Sequence, residues 1–264
     1  MFTTSTSELE TLGAAITTQE IKQQPKLWED TYAIYTNNRD KIDAFISSAR
    51  ELGGKRRTRV VFTGAGTSQY VGDTITPYLR RFGEKNAFEF ASVATTDIVS
   101  DPLGSLDADD PTVLVSFARS GNSPESMAAV QVARSLVKDL LLINITCAPE
   151  GRLAVESQGK TDTLTLLIPG ANDQGFAMTG SFSCMALLAT LIFDTSSHEQ
   201  KAAWVMDAAT LGREVISREH EIAAWLETDF ERITYLGSGP FSGLAREAQL
   251  KVLELAAGKN PTSF

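Results

Sequence analysis

The chain has 264 residues, 42% hydrophobic and 22% charged, with 33 acidic against 24 basic side chains and a formal net charge of -9. Such a composition belongs to an ordinary globular chain, long enough for one large core or for one core and part of another, and it excludes a disordered polymer. The acidic balance argues against a broad nucleic-acid surface, and no apolar run approaches the ~20 residues that a membrane-crossing helix needs.

The opening stretch "MFTTSTSELETLGAAITTQE" has neither a basic nor an apolar leader region, so a cytoplasmic location is expected. Residues 1–55 read as helical. Trp28, Tyr32 and Tyr35, then Ile42, Phe45, Ile46 and Ala49, recur at three- and four-residue spacings, and Pro25 suits a helix start. The spacing predicts an opening helical hairpin.

From Arg59 the period changes. "RVVFT", "NAFEFAS", "TVLVSFA", "DLLLINIT" and "DTLTLLIP" are short runs of branched or aromatic residues, with helical spacing after the first and third. Strands alternating with helices predict an α/β unit over 56–195: a mostly parallel five-stranded sheet covered on both faces, hence a three-layer sandwich. Ligands of such sheets sit beyond the carboxyl ends of the strands. Cys147 and Cys184, each inside an apolar segment, read as reduced core thiols.

Residues 196–230 read as a polar helical connector in which His198 and His220 are solvated. Beyond it, "YLGSGPFSGLA" (235–245) matches "FTGAGTSQYVG" (62–72) at an offset of 173, pairing Gly64 with Gly237 and Gly66 with Gly239. This internal repeat predicts the start of a second unit over 231–264 that is incomplete at Phe264, either because the chain is truncated or because the fragment packs on the first unit or on another subunit.

Two loops carry the chemistry. In "FARSGNSPES", Pro124 fits the first helical position and Ser123 its cap, ahead of Met127, Val130, Val132 and Leu136 at helical spacing. Free N–H groups and hydroxyls at a helix start favour an anion, to which Arg119 adds a charged donor and Gly121 close backbone approach. "GAGTSQ" offers Gly64, Gly66 and the hydroxyls of Thr67 and Ser68 at the next helix start. Either loop alone also reads as a well-capped turn. A dinucleotide fingerprint fails at Gln69, where a third glycine belongs, and no Gly-Lys-Ser/Thr makes a P-loop. Near the end, Glu247, Lys251 and Glu254 share one side of a helix; on spacing alone this is also a solvent-facing Glu–Lys ladder.

Together "EIKQQPKLW", "GAGTS", "SGNSPES", "AMTGSFS" and "LGSGPFSGLAREAQLKVLELAAGK" resemble the sugar isomerase (SIS) phosphosugar-binding family, most closely its galactosamine-6-phosphate deaminase / tagatose-6-phosphate ketose-aldose isomerase group. The resemblance implies a flavodoxin-like sheet and a cytoplasmic homo-oligomer, dimer or higher, that needs no cofactor or metal. It implies that Gly66, Thr67, Ser68, Ser120, Gly121, Asn122 and Ser123 bind the phosphate of a hexose or hexosamine 6-phosphate, with Arg119 and Thr179 lining the same cleft. It further implies that Glu254 moves a proton between C1 and C2 while Lys251 assists, converting galactosamine 6-phosphate to tagatose 6-phosphate and ammonia. The family's ring-opening histidine, in a His-Gly-Pro segment after "AAGK", has no counterpart here, so the resemblance leaves open a chain that binds without turnover. The alternative is a non-catalytic regulatory SIS protein. Against it stand the second unit, the absence of a basic face on the opening helices, and the retention of both Lys251 and Glu254.

Overall fold

A computed structural model describes residues 1–226 and 230–264. Three helices open the chain: α1 (Thr6–Thr11), α2 (Ala15–Asn37) and α3 (Arg39–Leu52). Then follow β1 (Thr58–Thr63), α4 (Thr67–Phe82), β2 (Phe88–Ser92), α5 (Thr95–Ser100), α6 (Pro102–Ser105), β3 (Thr112–Ala118), α7 (Pro124–Leu136), β4 (Leu140–Thr146), α8 (Arg152–Val155), β5 (Thr163–Leu167) and α9 (Gly180–Phe193). The chain continues through α10 (His198–Ser217), α11 (Glu219–Leu226), β6 (Ile233–Thr234), α12 (Pro240–Leu255) and β7 (Thr262–Ser263).

All five expected strands form, and they make one parallel sheet in the order β2-β1-β3-β4-β5. Alternation along each strand feeds two cores. Val60, Phe62, Val113, Val115, Phe117, Ile143 and Ile145 point to the face covered by α2, α3, α4 and α9, whereas Val61, Leu114 and Leu142 point to the face covered by α5 and α7. Phe62 stacks on Phe90 and Phe117 at 6.1 and 5.9 Å and meets Phe193 edge-on at 5.7 Å, so the first core is pinned across three strands and a helix. Cys147 and Cys184 are free and buried, and burial pushes both thiols up, Cys184 to about 12.

The opening differs from its expectation in two ways. Pro25 lies inside the 23-residue α2 and is buried there, not at its start. Nor do α2 and α3 form a hairpin: α2 packs chiefly on α9 and α10, while Ile42, Ile46 and Ala49 of α3 join the first core. Proline restricts only the preceding turn, and burial against two helices holds the remainder of α2.

The connector is also more than a spacer. Val205 and Ala209 of α10 are buried, and Lys201, 4% exposed, donates to the carbonyl of Leu191 at 2.9 Å near the end of α9. His220 is exposed as expected, but His198 is half-buried with its ring 6.0 Å from that of Tyr35. The part of the connector at 227–229 lies outside the described residues. Residues beyond it do not stand apart: α12 packs along α4, and β6 pairs with β7 in parallel.

Candidate functional site

Strand order reverses between β1 and β3, so the loops after these two strands flank one crevice at their carboxyl ends. That crevice is a cleft of about 160 Å³ lined by Ala65 and Ser68 after β1, by Phe117 to Gly121, Ser123 and Ser126 around the β3 loop, and by Met178. Both sequence-predicted loops therefore open on the same space.

The two helices that start there, α4 and α7, begin differently, and α12 begins as α4 does. Gly66 precedes α4 with φ 56° and ψ -127°, a conformation that L side chains rarely adopt, and Gly239 precedes α12 with φ 57° and ψ -129°. At α7 the cap is the expected one: Ser123 Oγ accepts from the amide of Ser126 at 3.2 Å, and Pro124 takes the first helical position. The β3 loop is tied down from below, since the Arg119 carbonyl accepts from the amide of Cys147 at 3.1 Å and the Gly121 carbonyl from that of Leu153 at 3.0 Å. Arg119 donates through Nη1 to the Gly175 carbonyl at 3.3 Å.

Not every predicted residue lines the cleft. Asn122 turns aside, its Oδ1 accepting from the amide of Arg152 at 2.9 Å. Thr179 is occupied as well: its amide and hydroxyl donate to Asp173 at 2.8 and 3.1 Å, and its neighbour Met178 lines the cleft in its place. Asp173, 3% exposed, also accepts from the amides of Gly180 and Ser181 and from the Ser181 hydroxyl, and so caps α9 from six residues upstream of Thr179. Sequence reasoning missed Asp173 because this cap is not adjacent to its helix, and it missed Ser126 because capping Ser123 already accounted for the motif.

The late helix brings the remaining groups. The Glu–Lys side of α12 faces inward, against the start of α4, and is not a solvent-facing ladder. Lys251 Nζ donates to Thr67 Oγ1 at 2.9 Å and pairs with Glu254 at 2.6 Å and with Glu247 at 3.2 Å. Thr67 Oγ1 in turn donates to Glu247 Oε1 at 3.2 Å. Glu247 is 4% exposed, and burial pushes its carboxyl up to about 7 against the opposing pull of Lys251 and of the Thr67 hydroxyl. Thr67 thus joins α12 to the cleft, because the next residue, Ser68, lines it. One ammonium between two carboxylates, one of them titrating near neutrality, can hold and move a proton. A second tie lies alongside: Arg246 donates to Asp73 at 3.1 Å, and Asp73 also accepts from Gln69 and Ser92.

The SIS domain family matches residues 55–193, which span the sheet and both cleft loops. The chain belongs to the SIS family. Beyond that domain it is similar to the D-galactosamine-6-phosphate deaminase AgaS of Shewanella sp. strain ANA-3, 37% identical over 98% of this chain, and to that of Escherichia coli, 36% identical over 94%. Among solved structures it resembles the tagatose-6-phosphate ketose/aldose isomerase from Escherichia coli, with a TM-score of 0.86 and 32% identity over 98% of this chain and 68% of that one. The chain spans 63% to 66% of the length of the curated relatives it matches. Among the described residues of this SIS protein, no helix is long and apolar enough to cross a membrane.

Proposed function

We propose that this SIS chain binds a hexosamine 6-phosphate and serves as an aldose-ketose isomerase and deaminase. The phosphate is held by Ser68, Ser120, Ser123 and the amides around Gly121, with Arg119 supplying charge. Glu254 takes the C2 proton of the open-chain aldose and returns it at C1, passing through an enolamine. The resulting imine at C2 adds water and releases ammonia, leaving the ketose 6-phosphate. Lys251 balances the charge of Glu254, and Glu247 holds Lys251 and Thr67 in place.

A single observation carries this reading: the 2.9 Å bond from Lys251 to Thr67, which sets the α12 carboxylates beside the helix start that opens on the cleft. The names of the relatives support galactosamine 6-phosphate as the substrate. We further propose the division into an opening helical segment (1–55), a first SIS unit (56–195), a connector (196–230) and the start of a second, repeated unit (231–264). The matching Gly66 and Gly239 conformations and the β6–β7 pairing support it.

Thermal unfolding tests binding. Galactosamine 6-phosphate should raise the melting temperature, and Ser68→Ala with Ser120→Ala should remove most of that rise. No rise with any hexose or hexosamine phosphate would defeat the assignment. Ammonia release tests turnover: Glu254→Gln should abolish it, and binding without any release by the wild type would favour a regulatory SIS protein.

A further inference from the structure

Glu20, Gln24 and Trp28 stand four residues apart on one side of α2, and each is committed to the segment 174–183. Glu20 is 6% exposed, and its Oε1 accepts from the amides of Gln174 and Gly175 at 2.6 and 3.0 Å. Gln24 accepts from the Ser183 hydroxyl at 2.7 Å, and that hydroxyl accepts from the Trp28 indole at 2.9 Å. The turn held by Glu20 presents the Gly175 carbonyl to Arg119. It comes so close that a Cβ on Gly175 would lie 2.7 Å from Glu20 Oε2.

We infer that Glu20 is a positioning residue for the cleft, setting the Arg119 guanidinium through the Gln174–Gly175 turn; this rests on the phosphosugar reading of the cleft. Arginine has five N–H donors. Gly175 takes one, which restrains the guanidinium and leaves other donors of Arg119 free for an anion in the cleft that it lines with Ser120 and Ser123. Glu20 touches no ligand itself. Among the described residues its Oε2 is buried without a hydrogen-bond partner, a costly arrangement for a carboxylate whose only task was to join a helix to a turn.

The test uses the full chain in two measurements. Calorimetric titration with galactosamine 6-phosphate should show Glu20→Ala weakening binding about tenfold, as expected when a charged donor is displaced. Arg119→Ala should then cost little more in that background, because the two residues act as one unit. Glu20→Gln keeps the acceptor at the same reach and should bind within about threefold of wild type. Glu20→Asp keeps the charge but withdraws the acceptor, so it should behave like Ala and stands in should Ala fail to fold. The second measurement needs no ligand: the Arg119 Nε–H resonance in ¹⁵N spectra should shift in the Ala and Asp variants and stay in the Gln variant.

A merely structural Glu20 would lower the melting temperature while leaving the resonance, the affinity and the full effect of Arg119→Ala in place, and that result would overturn the inference. Wild type that binds no sugar phosphate would overturn the ligand reading of the cleft, whereas an unmoved Arg119 resonance overturns the role of Glu20.

Discussion

Glu247 shows what a neighbourhood does to one carboxyl. Its folded pKa of about 7 lies above the ordinary 4.5, so between those values the native state holds a proton that the unfolded chain has lost. The stability it contributes is full below pH 4.5 and disappears as pH rises through 7, on the order of 3 kcal/mol in all. Glu247→Gln cannot ionise, so its urea midpoint should match wild type near pH 4.5 and exceed it at pH 8. Parallel curves across that range would rule out the buried acid. On the proposed deaminase reading, the same variant should also lack an inflection near pH 7 in ammonia release. The sequence put Glu247, Lys251 and Glu254 on one side of a helix, yet spacing could not say what that side faces. Its partner, Thr67, is 180 residues away.

Single elements were legible wherever their causes are local. Five runs of branched and aromatic residues became five strands, the inner ones β1, β3 and β4 largely buried on both faces and the edge strands β2 and β5 more open on one, and Ser123 and Pro124 capped α7 as their types require. What failed was non-local: Pro25 is tolerated inside α2 by packing from α9 and α10, and α9 takes its cap from Asp173 across a loop. Five hydrogen bonds converge on Asp173. Its replacement by Ala should therefore cost about 2–4 kcal/mol in urea unfolding, well above the ~1 kcal/mol of an ordinary cap. A loss below 1 kcal/mol would mean that α9 is held by its apolar contacts alone. Gly66→Ala is a cleaner probe of backbone strain, because nothing lies within 4 Å of the added Cβ. It should destabilise by about 1–3 kcal/mol without any steric clash.

At the scale of the molecule, α4 and α12 decide whether the last residues belong to the rest. Contacts run from Thr67 against Lys251, through Asp73 against Arg246, to Thr74 against Gly243, so the helices pass in opposite senses. With Arg246 41% exposed, its pairing with Asp73 should give a coupling of only about 0.5 kcal/mol in a double-mutant cycle of Asp73→Asn and Arg246→Met, shrinking further in 1 M salt. Its position matters more than its strength. Residues 73 and 246 are separated by 173, the spacing that relates Gly66 to Gly239, so they occupy matching places on their helices. Two copies of α4 meeting this way would set Asp73 against itself, and two copies of α12 would set Arg246 against itself; both meetings repel. Only the unlike pair attracts, and the junction thereby distinguishes one helix from its look-alike.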